Sequence, residues 1–200
     1  MGVQQIFIVR HGETDYNVHH RWQGHLDVPL NDTGKKQAQA LADYFTDQPI
    51  DTIISSDLKR AADTACAIAK PRQLKVHYDD RLREIKLGVF QGLTRAQICI
   101  TYPQAALRWD NDDTYAVSGG ESRVQLQQRA YQAWQAIIAH QTARQVLVVS
   151  HGGTIRLLLR RLFPETTNYV KLKNTSISII ECNTDGAWVP TALNITPHLS

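Results

Sequence analysis

The sequence predicts a three-layer α/β/α fold with a mostly parallel central sheet, on the evidence of its size, its short apolar runs and the helical patterns between them. Its 200 residues are enough for one domain of ordinary size. The chain is 42% hydrophobic and 20% charged, so it can bury a core and does not have the composition of a disordered protein. No linker or low-complexity stretch divides it, and we predict a single domain over residues 1–200.

Four short apolar runs rich in β-branched residues predict the central strands. They lie at residues 6–9, 52–54, 146–149 and 177–180. Near-continuous apolar runs of this length are typical of strands that are buried on both faces of a parallel sheet. Residues 75–78 predict a weaker strand, and residues 188–195 predict a late edge strand.

Helical patterns occupy the segments between these runs. The predicted helices are residues 31–45 with Asn31 as the N-cap, 58–70 before Pro71, 122–140 after a capping-box spacing of Ser122 and Gln125, and 154–163 before Pro164. Alternation of strands and helices favours a layered α/β fold over an all-α or all-β one.

Residues 101–120 match neither pattern. Pro103, Trp109, a polar stretch at 110–113 and the pair Gly119-Gly120 follow one another without a regular spacing of apolar residues. We predict an excursion over the edge of the sheet, with a short helix from Thr94. Long loops in compact domains are often lids, so a lid or insertion is expected at about 94–120.

The charge of the chain argues against a nucleic-acid partner. Twenty-two Lys and Arg residues against nineteen Asp and Glu residues give a net charge of +3, and no basic stripe or run of like charges is present. We expect positive charge to be used locally instead, where a few arginines hold an anionic substrate. The sequence implies no particular oligomeric state.

Apolar segments and cysteines indicate the compartment. The sequence has no charged and apolar leader at its N-terminus and no apolar run of 18 residues, so we expect a cytoplasmic protein without a membrane partner. Cys66, Cys99 and Cys182 are odd in number and far apart, which argues against a disulfide framework. We expect them to be small buried hydrophobic residues.

Chemically active residues follow the predicted strands. Ligands of open α/β sheets bind outside the carboxyl ends of the strands. The first run leads into Arg10-His11-Gly12, the second into a segment that ends at Arg60, and the third into Ser150-His151-Gly152. Two histidines, 140 positions apart, therefore occupy the same position between a strand end and a glycine.

This combination of residue types suits phosphoryl transfer without a metal ion. Imidazole is a nucleophile that forms covalent intermediates, arginine matches the oxygens of phosphate, and glycine allows the backbone to approach an anion. A lone histidine or arginine at such a place is more often structural or solvated. Their arrival together at equivalent strand ends favours a site, and no cofactor is required.

The sequence also resembles the histidine phosphatase superfamily, the phosphoglycerate mutase-like proteins. The resemblance rests on motifs that occur in the family order over about residues 5–160. These motifs are residues 10–14, Asn17 with 21–24, 27–30, 34–38, 55–60, 82–84 with Gly88 and 91–92, 119–122, and 150–152. The family implies a three-layer α/β/α fold and phosphoryl transfer through a histidine.

The resemblance implies a role for each matching residue. His11 would be the nucleophile that becomes phosphorylated, and Arg10, Arg60 and His151 would surround the phosphoryl group and balance its charge. The phosphate- and substrate-binding positions would be Asn17, Gln23, Gly24 and Gly152, together with Arg10, Arg60 and His151. No metal ligand is implied.

Glu84 matches the proton donor of the family. That role requires a carboxyl group that still holds its proton near neutral pH. From the residues alone, Glu84 is better interpreted as a surface carboxylate paired with Arg81 or Arg83. Four aromatic residues are candidates for the pocket mouth or for packing: Trp22, Phe90, Trp109 and Tyr115.

The most favoured function is a metal-independent phosphomonoesterase that acts on small phosphorylated metabolites. Family members that resemble true mutases carry a longer insertion after the acidic residue that Glu84 matches, and this insertion includes adjacent arginines. Here only 36 positions separate Glu84 from Gly120, and the two arginines between them, Arg95 and Arg108, are not adjacent. The alternatives are a bisphosphate-primed phosphoglycerate mutase, an α-ribazole phosphatase, a metal enzyme using His19-His20 with His25, and a non-catalytic phosphate-binding protein. Sugar phosphates and phosphoglycerate are candidate substrates.

Overall fold

A six-stranded sheet forms the centre of the protein. The computed structural model describes residues 2–139, 143–165 and 171–199. The strands are β1 (Gln5–Arg10), β2 (Thr52–Ser55), β3 (Val76–Tyr78), β4 (Gln145–Ser150), β5 (Ile177–Cys182) and β6 (Trp188–Ile195). Their order is β3-β2-β4-β1-β5-β6, which confirms the predicted strands and the mostly parallel sheet.

The apolar run at residues 177–180 forms a strand that is antiparallel to its neighbours, whereas we predicted a parallel one. Strands β1 to β4 are mutually parallel, but β5 runs antiparallel to β1 and β6 runs antiparallel to β5. β5 and β6 are joined by a short turn in which Gly186 has a positive φ of 80°. A connection this short can only join antiparallel strands, which explains the pairing of β5 with β6. The direction of β5 against β1 could not be predicted, because an apolar run is the same in a parallel and an antiparallel strand.

The helices, numbered in chain order, are α1 (Asp15–Val18), α2 (Asp32–Phe45), α3 (Lys59–Ala69), α4 (Arg95–Thr101), α5 (Pro103–Asn111), α6 (Arg123–Ile138) and α7 (Gly152–Leu162). Four of them begin with a side-chain cap. The Asn31 side chain accepts from the backbone of Gly34, as predicted, and reciprocal capping boxes start α1 at Thr14, α4 at Thr94 and α6 at Ser122.

Two helix boundaries differ from the predictions. Pro71 lies inside a 3-10 turn at residues 70–72 that continues α3, because a proline is tolerated in a first turn. α7 begins at Gly152, two residues before the predicted start, since the N-cap is His151 itself. The predicted end of α6 at His140 lies outside the described residues.

Helices cover both faces of the sheet and produce three layers. Phe7, Val9 and Leu147 on one face pack with α2 and α3, where Leu41 and Ala65 are buried. On the other face, β1 and β4 pack with α6 and α7. Both faces of β1 and β4 are therefore buried, as the apolar runs predicted.

Residues 94–120 contain two helices, α4 and α5, where we predicted an excursion with one short helix from Thr94. Thr94 is the N-cap of α4, as predicted, and both helices pack in a third apolar cluster that includes Phe90, Ile98 and Trp109. The helix α5 was missed because it is short and buries only Ala106 and Trp109. Two buried positions are too few to establish a helical period.

The cysteines are not buried as expected. Cys66 and Cys99 are exposed and Cys182 is partly buried, and all three are free thiols. Cys66 and Cys99 lie next to the buried Ala65 and Ile98, on the outer faces of α3 and α4. No helix in the described part of the chain is both long and apolar enough to cross a membrane.

Candidate active site

The two histidines meet because β1 and β4 are adjacent, parallel and in register. Arg10 at the end of β1 lies opposite Ser150 at the end of β4, so that His11 and His151 leave the sheet side by side. Their ring centroids are 5.2 Å apart. Both side chains are buried, which sets them at the floor of a site rather than at its rim.

His11 has a defined neutral form. Its Nδ1 lies 2.6 Å from the carbonyl oxygen of Gly12, which can only accept, so Nδ1 donates and Nε2 keeps its lone pair. Burial lowers the pKa of His11 well below 6.5, and the positive charges of Arg60 and Arg10 lower it further. His11 is therefore an uncharged imidazole at neutral pH, which is the form required of a nucleophile.

Arg10 and Arg60 supply positive charge beside His11. Arg10 donates from Nη1 to the Leu172 carbonyl, while the fully buried Arg60 donates to the carbonyls of Leu26 (2.8 Å) and Gly24 (2.9 Å). Burial lowers the pKa of Arg60 from 12.5 to about 10, so Arg60 remains a cation at neutral pH. In both arginines Nε is buried without a partner among the described residues, which leaves N–H capacity for an anion.

His151 lies beneath the reacting region. Its Nε2 is 2.8 Å from the Ser56 hydroxyl, and its Nδ1 is buried without a hydrogen-bond partner in the described chain. Burial lowers the pKa of His151 well below 6.5, and Arg60 contributes to the same direction. Ser56, which holds this ring, was not singled out in the sequence, although it lies within the motif that ends at Arg60.

Glu84 is held at the N-terminus of α7. Its carboxylate accepts hydrogen bonds from the backbone N–H groups of Gly153 (3.0 Å) and Thr154 (3.2 Å), and from its neighbour Ile85 (2.9 Å). Carboxylates are favoured at this end of a helix. A Cβ atom at Gly153 would lie 2.4 Å from Glu84 Oε1, so a side chain at this position would displace the Glu84 carboxylate.

The surface pairing considered for Glu84 does not occur. Arg81 pairs with Asp79 and Arg83 pairs with Asp57. Both arginines are thus engaged with other carboxylates, and Glu84 is left to face the cavity beside His11.

Helix α1 and the segment after it supply the substrate-binding positions predicted by resemblance. Asn17 Oδ1 accepts from Asn174 Nδ2 (3.2 Å). The Thr14 hydroxyl lies within hydrogen-bond distance of both Asn17 Oδ1 (3.0 Å) and Gln23 Oε1 (3.1 Å), and its single hydrogen can serve either oxygen. Gly24 has a positive φ of 51°, and a Cβ atom there would lie 2.5 Å from Gln91 Oε1. A glycine is therefore required where the chain turns to offer its carbonyl to Arg60.

A cavity of about 420 Å³ opens above these residues. Its lining includes seven of the predicted positions: Arg10, His11, Asn17, Gln23, Gly24, Arg60 and Glu84. His151 and Gly152 do not line it; His151 packs against His11 from below, and Gly152 lies against the Arg10 guanidinium. The roles of all these residues remain predictions, but the fold brings them to one place.

The aromatic candidates divide into two groups. Trp22 and Trp109 line the cavity, as we considered, whereas Phe90 and Tyr115 do not. Phe90 is fully buried between Trp22, Trp109 and Tyr102 and serves as packing. Tyr115 stacks under the guanidinium of Arg108 at 4.2 Å.

Three further arginines line the cavity: Arg21 lies within the motif at 21–24 but was given no role, and Arg123 and Arg156 were missed. The only signal for Arg123 was its place in the first turn of α6, and Arg156 lies one turn after Gly152 in α7. An arginine in a helix is usually solvated. The spacing of Arg123 and Arg156 in the sequence therefore did not distinguish them from the other helix arginines.

No group of three or more His, Cys, Asp or Glu side chains within the described ranges is arranged to hold a metal ion. Of the histidines considered for a metal site, His25 contacts the Glu84 carbonyl through Nε2 at 2.8 Å. Residues 19 and 20 follow α1 on the exposed surface.

The arrangement can stabilise a trigonal phosphoryl group between a nucleophile and a proton donor. His11, Arg10, Arg60 and Glu84 all line this cavity, so a phosphoryl group bound there would have a neutral imidazole, two guanidinium groups and a carboxyl group around it. Preorganised cations of this kind stabilise the charge that develops in phosphoryl transfer.

Comparisons with known proteins match nearly the whole chain to one family. Residues 6–196 match the histidine phosphatase superfamily (branch 1). The chain is 42% identical over 166 residues to a glucosyl-3-phosphoglycerate phosphatase of Mycobacterium tuberculosis, covering 79% of this chain and 74% of that protein. It is 35% identical over 206 residues to a metal-independent phosphoserine phosphatase of Arabidopsis thaliana, covering 99% and 84%.

A solved structure agrees at the level of the fold. The structure of a mycobacterial glucosyl-3-phosphoglycerate phosphatase with VO3 superposes with a TM-score of 0.84 at 35% sequence identity, covering 97% of this chain and all of that one. The similarity therefore extends over the whole layered fold and not only over the motifs at the strand ends.

Proposed function

We propose, since this chain belongs to the histidine phosphatase superfamily, that it hydrolyses small phosphomonoesters through a phosphorylated His11 and without a metal ion. The observation that carries the proposal is the state of His11. Its ring is buried and neutral, Nδ1 is tied to the Gly12 carbonyl, and Nε2 is free beside two arginines.

In the first step, His11 Nε2 attacks the phosphorus atom of the ester. A P–N bond forms and the P–O bond to the alcohol breaks, while Glu84 delivers a proton to the leaving oxygen. Arg10 and Arg60 balance the negative charge that spreads over the phosphoryl oxygens. His151, held by Ser56, supports the ring of His11 and the phosphoryl group from below.

In the second step, a water molecule attacks the same phosphorus atom. A P–O bond forms, the P–N bond breaks, and a proton of the water returns to Glu84. Inorganic phosphate leaves and His11 is again a neutral imidazole, so that the enzyme is restored. Both steps use the same carboxyl group in opposite directions.

The named relatives support hydrolysis over isomerisation. Both are called phosphatases, one of glucosyl-3-phosphoglycerate and one of phosphoserine, and the latter is called metal-independent. The segment between Glu84 and Gly120 folds as two short helices with Arg95 paired to Asp110, and so offers no adjacent arginine pair for a second phosphate. Small phosphorylated metabolites are the substrate class, and a phosphoglycerate mutase remains the alternative to be tested.

The test is an assay of wild type and His11→Ala after EDTA treatment. The substrates are p-nitrophenyl phosphate and 3-phosphoglycerate, with free phosphate and 2-phosphoglycerate measured separately. We expect phosphate release that survives EDTA and falls by at least about a thousandfold in His11→Ala, because the residual rate after loss of a nucleophile comes only from binding and charge stabilisation. Acid-labile phosphate on the wild-type chain during turnover would identify the phosphohistidine.

Two results would oppose the proposal. Accumulation of 2-phosphoglycerate with little free phosphate would make the protein a mutase. Phosphate release that disappears with EDTA and returns with a divalent cation would make it a metal enzyme. A His77→Asn variant, which replaces an exposed histidine, is the matched control and should retain wild-type activity.

A further inference from the structure

The cavity contains more positive charge than one phosphoryl group requires. Five arginines line it, against two carboxylates. The carboxylates are already engaged, because Glu84 caps α7 and Asp110 pairs with Arg95. The surplus positive charge therefore has no counterpart in the described residues of the cavity.

Four of these arginines have partners in the protein. Arg10 and Arg60 donate to backbone carbonyls and face His11. Arg21 donates to the Gly92 carbonyl at 2.7 Å, and Arg123 pairs with Asp113 at 3.2 Å and lies over the Trp109 ring. The guanidinium of Arg156 makes no hydrogen bond or ion pair with any described residue.

Arg156 lies on the face of α7 that borders the cavity. Gly153, Arg156 and Leu157 all line it, and their spacing of three and four residues places them on one side of the helix. Gly153 donates to Glu84, so Arg156 is about one helical turn, roughly 5 Å, farther along the helix axis. Glu84 is the proposed proton donor to the leaving oxygen, which belongs to the alcohol part of the substrate. Arg156 therefore lies on the side of the cavity where the alcohol part would bind.

The space between Glu84 and Arg156 suits the carbon skeleton of an alcohol. Leu126, Leu157 and Trp22 provide apolar surface in the same cavity. A volume of about 420 Å³ exceeds what a phosphate ion fills and is in the range of small-ligand sites. An alcohol of a few carbon atoms can thus reach from the phosphoryl position to Arg156.

We propose that Arg156 binds a carboxylate on the alcohol part of the substrate, so that this protein prefers phosphomonoesters of hydroxy acids. The inference rests on the phosphatase activity proposed above and assigns its substrate class. A guanidinium matches a carboxylate with two parallel N–H donors. One uncommitted cation balances one negative charge, which favours a carboxylate over a second phosphate.

The test compares two substrates that differ at one carbon. 3-Phosphoglycerate has a carboxylate where glycerol 3-phosphate has a hydroxymethyl group. For wild type we expect a higher kcat/KM on 3-phosphoglycerate. Arg156→Ala should lose about tenfold more kcat/KM on 3-phosphoglycerate than on glycerol 3-phosphate, mainly through KM, because a charge-assisted pair is lost only with the acid.

Two further variants separate recognition from structure. Arg156→Lys keeps the charge without the planar fork and should recover part of the preference for the acid. Arg160→Ala is the matched control, since Arg160 lies one turn farther on α7, pairs with Asp113 and does not line the cavity. It should retain the wild-type preference.

The outcomes distinguish this inference from the proposed function. Equal losses on both substrates in Arg156→Ala, or no loss on either, would overturn the carboxylate subsite while leaving the phosphatase in place. A wild-type protein that releases no phosphate from these substrates or from p-nitrophenyl phosphate would instead overturn the proposed function itself.

Discussion

At the scale of single residues, the contacts of Glu84 define what its replacement should do. The carboxylate faces the cavity and accepts three backbone N–H groups, two of them from the first turn of α7. In the proposed mechanism this carboxyl group passes a proton to the leaving oxygen and takes one back from water. The neighbouring carboxylate Asp110 lines the same cavity but is paired with Arg95.

Glu84→Gln should therefore affect substrates according to their leaving groups. We expect a loss of about a hundredfold or more in kcat on an alkyl ester such as glycerol 3-phosphate, within the usual range for general acid catalysis, and a much smaller loss on p-nitrophenyl phosphate. Steady-state kinetics on both substrates provide the measurement, with Asp110→Asn as the matched control. Equal losses on the two substrates would contradict the role of proton donor.

At the scale of elements, Arg129 holds residues 81–84, the segment that contains Glu84, against α6. Its guanidinium donates to the carbonyls of Arg81 (2.8 Å), Arg83 (2.7 Å) and Glu84 (2.8 Å). It also pairs with Glu121 at 2.6 Å, and both side chains are more than four-fifths buried. The Arg129 side chain thus connects α6 to residues 81–84 and to Glu121, the residue before the N-cap of α6.

Arg129→Ala should loosen that segment and leave its carbonyls without their donor. We expect a loss of about 2 kcal/mol in the free energy of unfolding, measured by urea denaturation. If Arg129 positions Glu84, activity on glycerol 3-phosphate should fall more than activity on p-nitrophenyl phosphate. Gln132→Ala, an exposed change on the same helix, is the control. An unchanged ratio of the two activities would contradict the positioning of Glu84 by Arg129 and would leave Arg129 with a structural role alone.

The lid expected at residues 94–120 remains a proposal at this scale. α5 places Trp109 and Asp110 in the lining of the cavity, and Trp109 packs against Trp22 on the opposite segment. The helices α4 and α5 are thus in position to cover a bound substrate. Their apolar cluster also contains Leu126 of α6 and Leu157 of α7, so the two helices pack on the layer that covers the sheet.

At the scale of the whole molecule, buried histidines connect stability to pH. Burial lowers the pKa values of His11 and His151 well below 6.5 in the folded protein. Below pH 6.5 the unfolded chain takes up protons on these residues and the folded chain does not. Stability is therefore complete above pH 6.5 and is lost as the pH falls towards the folded pKa values.

Replacement of His11 should make the free energy of unfolding decrease less steeply as the pH falls. Each such group contributes at most about 1.4 kcal/mol per pH unit in that window. We expect the free energy of unfolding of wild type to fall more steeply between pH 6.5 and 5.5 than that of His11→Asn, by up to about that amount. Denaturant titrations at several pH values provide the measurement. His77→Asn should keep the wild-type slope, and parallel curves for wild type and His11→Asn would refute the assignment.

The sequence by itself determined the elements that depend on local pattern. Apolar runs predicted four of the six strands, and Asn31 and Ser122 predicted two helix starts, because caps and periodicity act over a few neighbouring residues. The motifs at the strand ends predicted the group around His11, since parallel strands direct their carboxyl ends to one edge of a sheet.

Only the tertiary structure decided which residues share the cavity and which partners they have. Arg156 resembles any other helix arginine until the fold sets it in the lining of the cavity that also holds Glu84, and Phe90 resembles a pocket aromatic until packing buries it. The antiparallel direction of β5 against β1 was likewise visible only in the tertiary structure. These features arise from contacts between segments far apart in the chain, which no local spacing encodes.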